Sequence, residues 1–205
     1  MPAKRDVRPR QIIEKILNRG CRLWLNGLMG KECRHGDIEL ARGVAHNDDA
    51  CIAAFFQAYH AGVYRYMLCL AGNVEDAEDL AQDSLLQAKA HIRSYRGESG
   101  LKTWVHRVAY HTFTHWSRKI RPRGILTSQI AARGESFGQI DTSQALINAL
   151  ALLGPALSQP LVLLEVNDLS VDEIARILDI PAGTVKSRLS TARQRLRDIL
   201  GEPSC

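Results

Sequence analysis

No stretch of this 205-residue chain is apolar for long enough to span a bilayer, and no secretory signal pattern opens it. A helical membrane anchor and export are therefore not expected, and a cytoplasmic location is. Cysteine is sparse and badly spaced for a framework. The five residues (Cys21, Cys33, Cys51, Cys69 and Cys205) are odd in number and follow no disulfide or zinc ladder. They read as reduced, mostly buried thiols. Cys33-Arg34-His35 is too short and isolated for a zinc site, so no metal is expected. Strand alternation and internal repeats are missing, which excludes sheet-built and solenoid folds. No nucleophile, base and orienting group converge, so neither an enzyme nor a cofactor is expected.

What is present is helical periodicity and segregated charge. The net charge is +5, but it is unevenly spread. Residues 93–123 hold eight Lys or Arg and one acid, Glu98. Residues 75–83 carry Glu75, Asp76, Glu78, Asp79 and Asp83 and no cation. Such separation points to two partners, one anionic and one basic. Composition divides the chain into four parts. Residues 1–36 are basic, with one amphipathic stretch (Ile12, Ile13, Ile16, Leu17, then Leu23 and Trp24). Residues 37–122 are helical almost throughout, and 123–141 hold three glycines and the marks of a flexible linker. Residues 142–200 return to helical periodicity. The expected fold is all-α: two small helical domains joined by the linker.

The stretch 169–197, LSVDEIARILDIPAGTVKSRLSTARQRLR, predicts a helix-turn-helix. Ser170 and Glu173 form a capping box for a helix through Leu178, and Asp179-Ile180-Pro181 ends it. A second helix over 182–200 has a buried stripe of Val185, Leu189, Ala192, Leu196 and Ile199. Facing outward are the small polar Thr184, Ser187, Ser190 and Thr191. The cations Lys186, Arg188, Arg193, Arg195 and Arg197 accompany them, with no acid among residues 182–197. Short side chains can approach base edges while cations hold phosphates, which suits the major groove. An ordinary solvated face usually mixes both signs. Further upstream, Pro160 is expected to interrupt or start a helix.

Two helices precede this pair. Asn73 can cap a helix whose inner face is Ala77, Leu80, Ala81, Ser84, Leu85 and Ala88. Its outer face is Asp76, Asp79, Gln82, Asp83 and Gln87. After a turn at 95–99, the stretch LKTWVHRVAYHTFTHWSRK (101–119) buries Leu101, Trp104, Val105, Val108 and Phe113. That leaves Lys102, His106, Arg107, His111, His115, Arg118 and Lys119 free. A basic helix interleaved with aromatics suits nucleic acid whose bases can be stacked or flipped. His111 and His115 stand at i, i+4, but no Glu lies between them as a metalloprotease helix requires.

In order, EDLAQDSLLQA (78–88), RGESGLKTWVHRVA (96–109) and the helix-turn-helix resemble the bacterial RNA polymerase sigma factors of the extracytoplasmic-function group. The resemblance covers about residues 37–200. It implies a promoter-specificity subunit that binds core RNA polymerase and reads −35 and −10 elements. The acidic face (Asp76, Asp79, Gln82, Asp83, Gln87) would dock on the polymerase. Arg96 in the turn, with Lys102, His106, Arg107, His111, His115, Arg118 and Lys119, would melt and capture −10 DNA. Thr184, Lys186, Ser187, Arg188, Ser190, Thr191 and Arg193 would read the −35 element. An anti-sigma partner is implied as well. Residues 1–36 have no counterpart in the family pattern and read as a regulatory extension or as residues upstream of a start such as Met29. A stand-alone dimeric helix-turn-helix regulator and a decoy for an anti-sigma factor are the alternatives.

Overall fold

A computed structural model describes residues 33–120 and 142–200. The amphipathic stretch within 12–24 and the linker at 123–141 lie outside the described residues. Those described are helical, with no strand among them. The first domain runs α1 (Cys33–Ala45), α2 (Asp49–Ala71), α3 (Val74–His91), a 3-10 turn (Ile92–Ser94) and α4 (Leu101–Ile120). The second runs α5 (Thr142–Leu153), α6 (Pro155–Glu165), α7 (Val171–Leu178) and α8 (Ala182–Leu200). No helix among the described residues is long and apolar enough to cross a membrane.

Local chemistry sets the boundaries. Asp48 accepts from the Cys51 N–H at 2.8 Å to start α2. Gly72, in the left-handed region at φ 82°, ends α2 by donating to the Leu68 carbonyl. Asn73 then caps α3 by accepting from the Asp76 N–H at 2.8 Å. For α4 the cap comes from far away in sequence: Asp37 of α1 accepts from the Leu101 N–H at 2.8 Å. That reach depends on α1 lying close to α2. A Cβ at Gly43 would collide with the Cys51 sulfur, so only glycine allows the approach.

The inner face read for α3 is the buried one: Ala77, Leu80, Ala81, Ser84, Leu85 and Ala88 all pack inward. They meet Phe55, Val63, Tyr66 and Met67 of α2 and Leu101, Val105, Ala109 and Phe113 of α4 in the core. Cys51 and Cys69 are both free thiols and half-buried. Burial pushes the Cys69 thiol up to about 11, and the hydrogen bond with Asp48 raises Cys51. Both stay protonated and unreactive near neutrality.

In the second domain, Gly154 (φ 75°) precedes Pro155 in the first helical position of α6. Pro160 does not break this helix, contrary to the expectation from its sequence. It lies inside α6 and is buried, so the apolar packing outweighs the backbone hydrogen bond that proline cannot give Ala156. The capping box is present: Ser170 accepts from the Glu173 N–H, and Glu173 accepts from the Ser170 N–H at 2.8 Å. Helix α7 ends at Leu178, as the sequence reading has it. Asp179 adopts the left-handed conformation (φ 54°) ahead of the Ile180-Pro181 step and closes the helix itself. On α8, Val185, Leu189, Ala192 and Leu196 are buried, but Ile199, one residue before the helix end, is 40% exposed.

The two domains also touch. Helices α5 and α6 lie against α2, and α7 lies along α4. A Cβ at Gly72 would stand 3.8 Å from Ile147. The buried residues of both domains form one continuous cluster.

Candidate nucleic-acid and polymerase interfaces

On α3, Asp79, Gln82 and Asp83 stand exposed on the face opposite the core. Asp76 is committed to the helix start, where Asn73 donates to its carboxylate at 2.6 Å. Gln87 is half-buried; it donates to Asp83 at 3.0 Å and accepts from Thr112 of α4. One exposed apolar residue went unnoticed in the sequence: Leu86, 51% exposed beside this row. A groove of about 570 Å³ between α2 and α3 is lined by Phe56, His60, Tyr64, Glu78, Gln82 and Leu85.

A second groove, of about 460 Å³, runs between α3 and α4. Asp83, Gln87 and Leu80 line it from one side, and His111, Thr112, His115, Trp116 and Lys119 from the other. The two faces read separately in the sequence therefore share one cleft. Along α4, Lys102, Arg107, His111, His115, Arg118 and Lys119 are exposed, as is Arg96 in the turn before it. The turn is held by the Tyr95 hydroxyl donating to the Ser99 carbonyl at 2.7 Å, and by the Tyr95 ring against Trp104. Partial desolvation and the neighbouring Arg107 charge hold the His111 imidazole below its ordinary pKa, against the pull of Asp179. The neutral imidazole, which can accept as well as donate, is thereby favoured at His111.

His106 departs from the expectation. It was expected free, yet it is 1% exposed, beneath the second domain. Its Nδ1 faces the Lys102 carbonyl at 2.8 Å, and its Nε2 faces the Asn167 amide at 3.0 Å. Burial lowers its pKa to about 4. Buried and neutral, it makes no DNA contact in this arrangement. Trp104 and Val108, expected in the core, are half-buried at its edge, while Thr103 is buried without having been foreseen.

On α8, Lys186, Ser187, Ser190 and Thr191 are exposed, and Thr184 and Arg188 are half-exposed. The hydroxyls are pre-set by bonds along the helix: Ser187 donates to the Thr184 carbonyl and Thr191 to the Ser187 carbonyl, each at 3.0 Å. Arg193 is employed differently from the reading. It pairs with Glu165 of α6 at 2.8 Å, and that carboxylate is only 6% exposed. The pair fastens α8 to α6 and takes Arg193 out of the freely presented cations.

The Sigma-70 region 2 family matches residues 55–123, and the Sigma-70 region 4 family matches 143–196. The chain belongs to the RNA polymerase sigma factors of the extracytoplasmic-function group. It is 28% identical over 161 residues to the sigma factor YlaC of Bacillus subtilis, spanning 74% of this chain and 92% of that one. It is 28% identical over 174 residues to the extracytoplasmic-function sigma factor SigM of Mycobacterium tuberculosis, spanning 84% and 88%. Among solved structures it resembles the sigma factor RpoE in complex with the anti-sigma factor NepR from Bartonella quintana. There the TM-score is 0.60 and the identity 28%, over 73% of this chain and 96% of that one. It shares its fold with CnrH, solved in complex with the cytosolic domain of CnrY, at TM-score 0.65 and 19% identity, over 82% and 99%. As a sigma factor it directs RNA polymerase to promoters, and the grooves and faces above are where those contacts are to be sought.

Proposed function

We propose that residues 37–122 act as a region 2-like domain, 142–200 as a region 4-like domain and 123–141 as the linker between them. The observation that carries this reading is the shared α3–α4 cleft, which sets Asp83 and Gln87 opposite His111, His115, Trp116 and Lys119. Asp79, Gln82, Asp83 and Gln87 dock on a basic surface of core polymerase, with Asp76 holding the start of their helix. Arg96, Lys102, Arg107, His111, His115, Arg118 and Lys119 take −10 DNA. Trp116 at the cleft offers a stacking face for an unpaired base. Thr184, Lys186, Ser187, Arg188, Ser190 and Thr191 take the −35 element, with Arg193 holding α8 in place. The protein acts by placement, without covalent chemistry, in the cytoplasm. An anti-sigma factor is a further partner, by analogy with RpoE and NepR.

Run-off transcription with purified core polymerase across the source genome tests the reading and yields the promoter motif. Wild-type chain is expected to give discrete start sites. Asp79→Lys with Asp83→Lys should weaken core binding by about two orders of magnitude, ~3 kcal/mol for two reversals at an electrostatically matched interface. Unchanged transcription from that double variant would overturn the docking assignment.

A further inference from the structure

The groove between α2 and α3 has an apolar floor and an acidic rim. Leu85 is buried at its base, Phe56 and Tyr64 are half-buried, and the His60 ring stacks on Tyr64 with 6.3 Å between centroids. Leu86, 51% exposed, adds apolar surface on α3. On the rim, Glu75, Glu78 and Asp79 are exposed, and Glu78 and Gln82 line the groove itself. Glu75 and Asp79 stand one helical turn apart. The chain holds a segment of matching character. Residues 1–24 carry seven Lys or Arg and two acids, which is the whole of the net charge of +5, and the rest of the chain is balanced. Within that segment Ile12, Ile13, Ile16 and Leu17 recur at the spacing of one helix face. Lys15 and Arg19, one turn apart, fall beside the apolar stripe.

We propose that the basic stretch 12–24 docks in the α2–α3 groove of its own chain and covers part of the face that meets core polymerase. The inference rests on the docking role proposed above for Asp79 and Gln82. The apolar stripe seats on Phe56, Tyr64 and Leu85, as an amphipathic segment fills a hydrophobic groove, and Lys15 and Arg19 meet the acids of the rim. Exposed ion pairs contribute little each, so the apolar contacts supply the affinity and the charges set the orientation. The reach is adequate. Residues 25–32 separate the segment from α1 and span up to ~28 Å when extended. Helix α1 packs on α2, which measures ~35 Å end to end, and the groove lies at the middle of α2. A tether of that length holds the segment near the groove at ~mM effective concentration, so a site of sub-millimolar affinity is mostly filled. Segment and polymerase then compete for Asp79 and Gln82. The apparent affinity for polymerase falls in proportion to the share of molecules whose groove is open.

The test places a photo-crosslinking amino acid at Ile13 of the full chain. Irradiated alone, the protein should crosslink within its own chain to residues 56–64 or 78–86, read by mass spectrometry of the digest. Ile12→Asp with Ile16→Asp should abolish that crosslink and tighten binding to core polymerase about fivefold, the change expected when ~80% of grooves are filled in the wild type. Lys15→Glu with Arg19→Glu should act in the same direction more weakly. All four positions lie outside the described residues, and circular dichroism checks that helical content persists in both variants. Absence of the groove crosslink, crosslinks formed only between chains, or unchanged core affinity in both variants would overturn the proposal. Run-off transcription separates it from the function on which it rests. Core binding and transcription without the crosslink remove the docked segment alone. The crosslink in a protein that neither binds core polymerase nor supports transcription removes the polymerase-docking role, and with it the competition.

Discussion

The two cationic helices, α4 and α8, each carry several basic residues and meet different fates. On α8 the polar face is left open to solvent, with Lys186, Ser187, Ser190 and Thr191 all presented. On α4 the first turns are covered by α7, so Lys102 is engaged and His106 is shut in, while His111, His115 and Lys119 line an open cleft. A row of basic residues on a helix is thus a statement about composition. Whether each cation meets DNA or the protein's own interior is decided by what packs on top.

The largest effect that would sharpen this contrast concerns pH. An unfolded chain protonates His106 near its ordinary pKa of about 6.5, whereas the folded protein resists until about pH 4. Its contribution is therefore complete above pH ~6.5 and is lost as pH falls towards 4, by about 3 kcal/mol. Glu173 acts lower down and in the same direction. Desolvation, which would raise its pKa, is outweighed by hydrogen bonds from Ser170 and Thr103 and by Lys102, so its stabilisation disappears as the carboxylate protonates. Denaturant titrations across pH 4–7 should show this slope, and His106→Gln should flatten the part above the carboxylate range. Equal slopes in the two proteins would mean that His106 is as accessible as the histidines of the cleft.

Next in size is a pair of cations on α8 itself. Arg193→Ala removes the guanidinium bond to the mostly buried Glu165 carboxylate and should cost about 1 kcal/mol in thermal or chemical unfolding. Lys186→Ala should leave stability nearly unchanged. Its effect belongs to DNA, where it should weaken holoenzyme binding to every promoter alike and reduce the salt slope by about 1. Exchanged outcomes for these two variants would reverse the division drawn here between fastening and reading. The smallest expected effect is Ile199→Ala, under about 0.5 kcal/mol, since the exposed end of α8 packs little.

Much of this was legible in the sequence, for identifiable reasons. The α3 inner face and the capping box of α7 are local features: period, short polar caps and a proline step. They do not depend on what lies across the molecule. Apart from Ile199, exposed at the end of α8, the main misreadings came from contacts between distant segments. Pro160 is tolerated because α6 is buried on several sides, which a single helix's sequence does not reveal. His106 looked free because its helical wheel knows nothing of Asn167, 61 positions away. Arg193 looked like its neighbours because Glu165 lies on another helix. The α3–α4 cleft was half legible: both walls could be read, but not that they face each other.

One small absence governs more than its own position. Gly43 lets α1 settle against Cys51, and Asp37, ~9 Å away along the same helix axis, supplies the carboxylate that starts α4. Helix α1 thus works as a spacer of fixed thickness. A methyl group at residue 43 would lift it away from α2 and draw the cap off Leu101, loosening the first turn of the helix proposed to take −10 DNA. The clearance for a single hydrogen, remote from any nucleic acid, is in that sense an alignment tolerance for reading DNA.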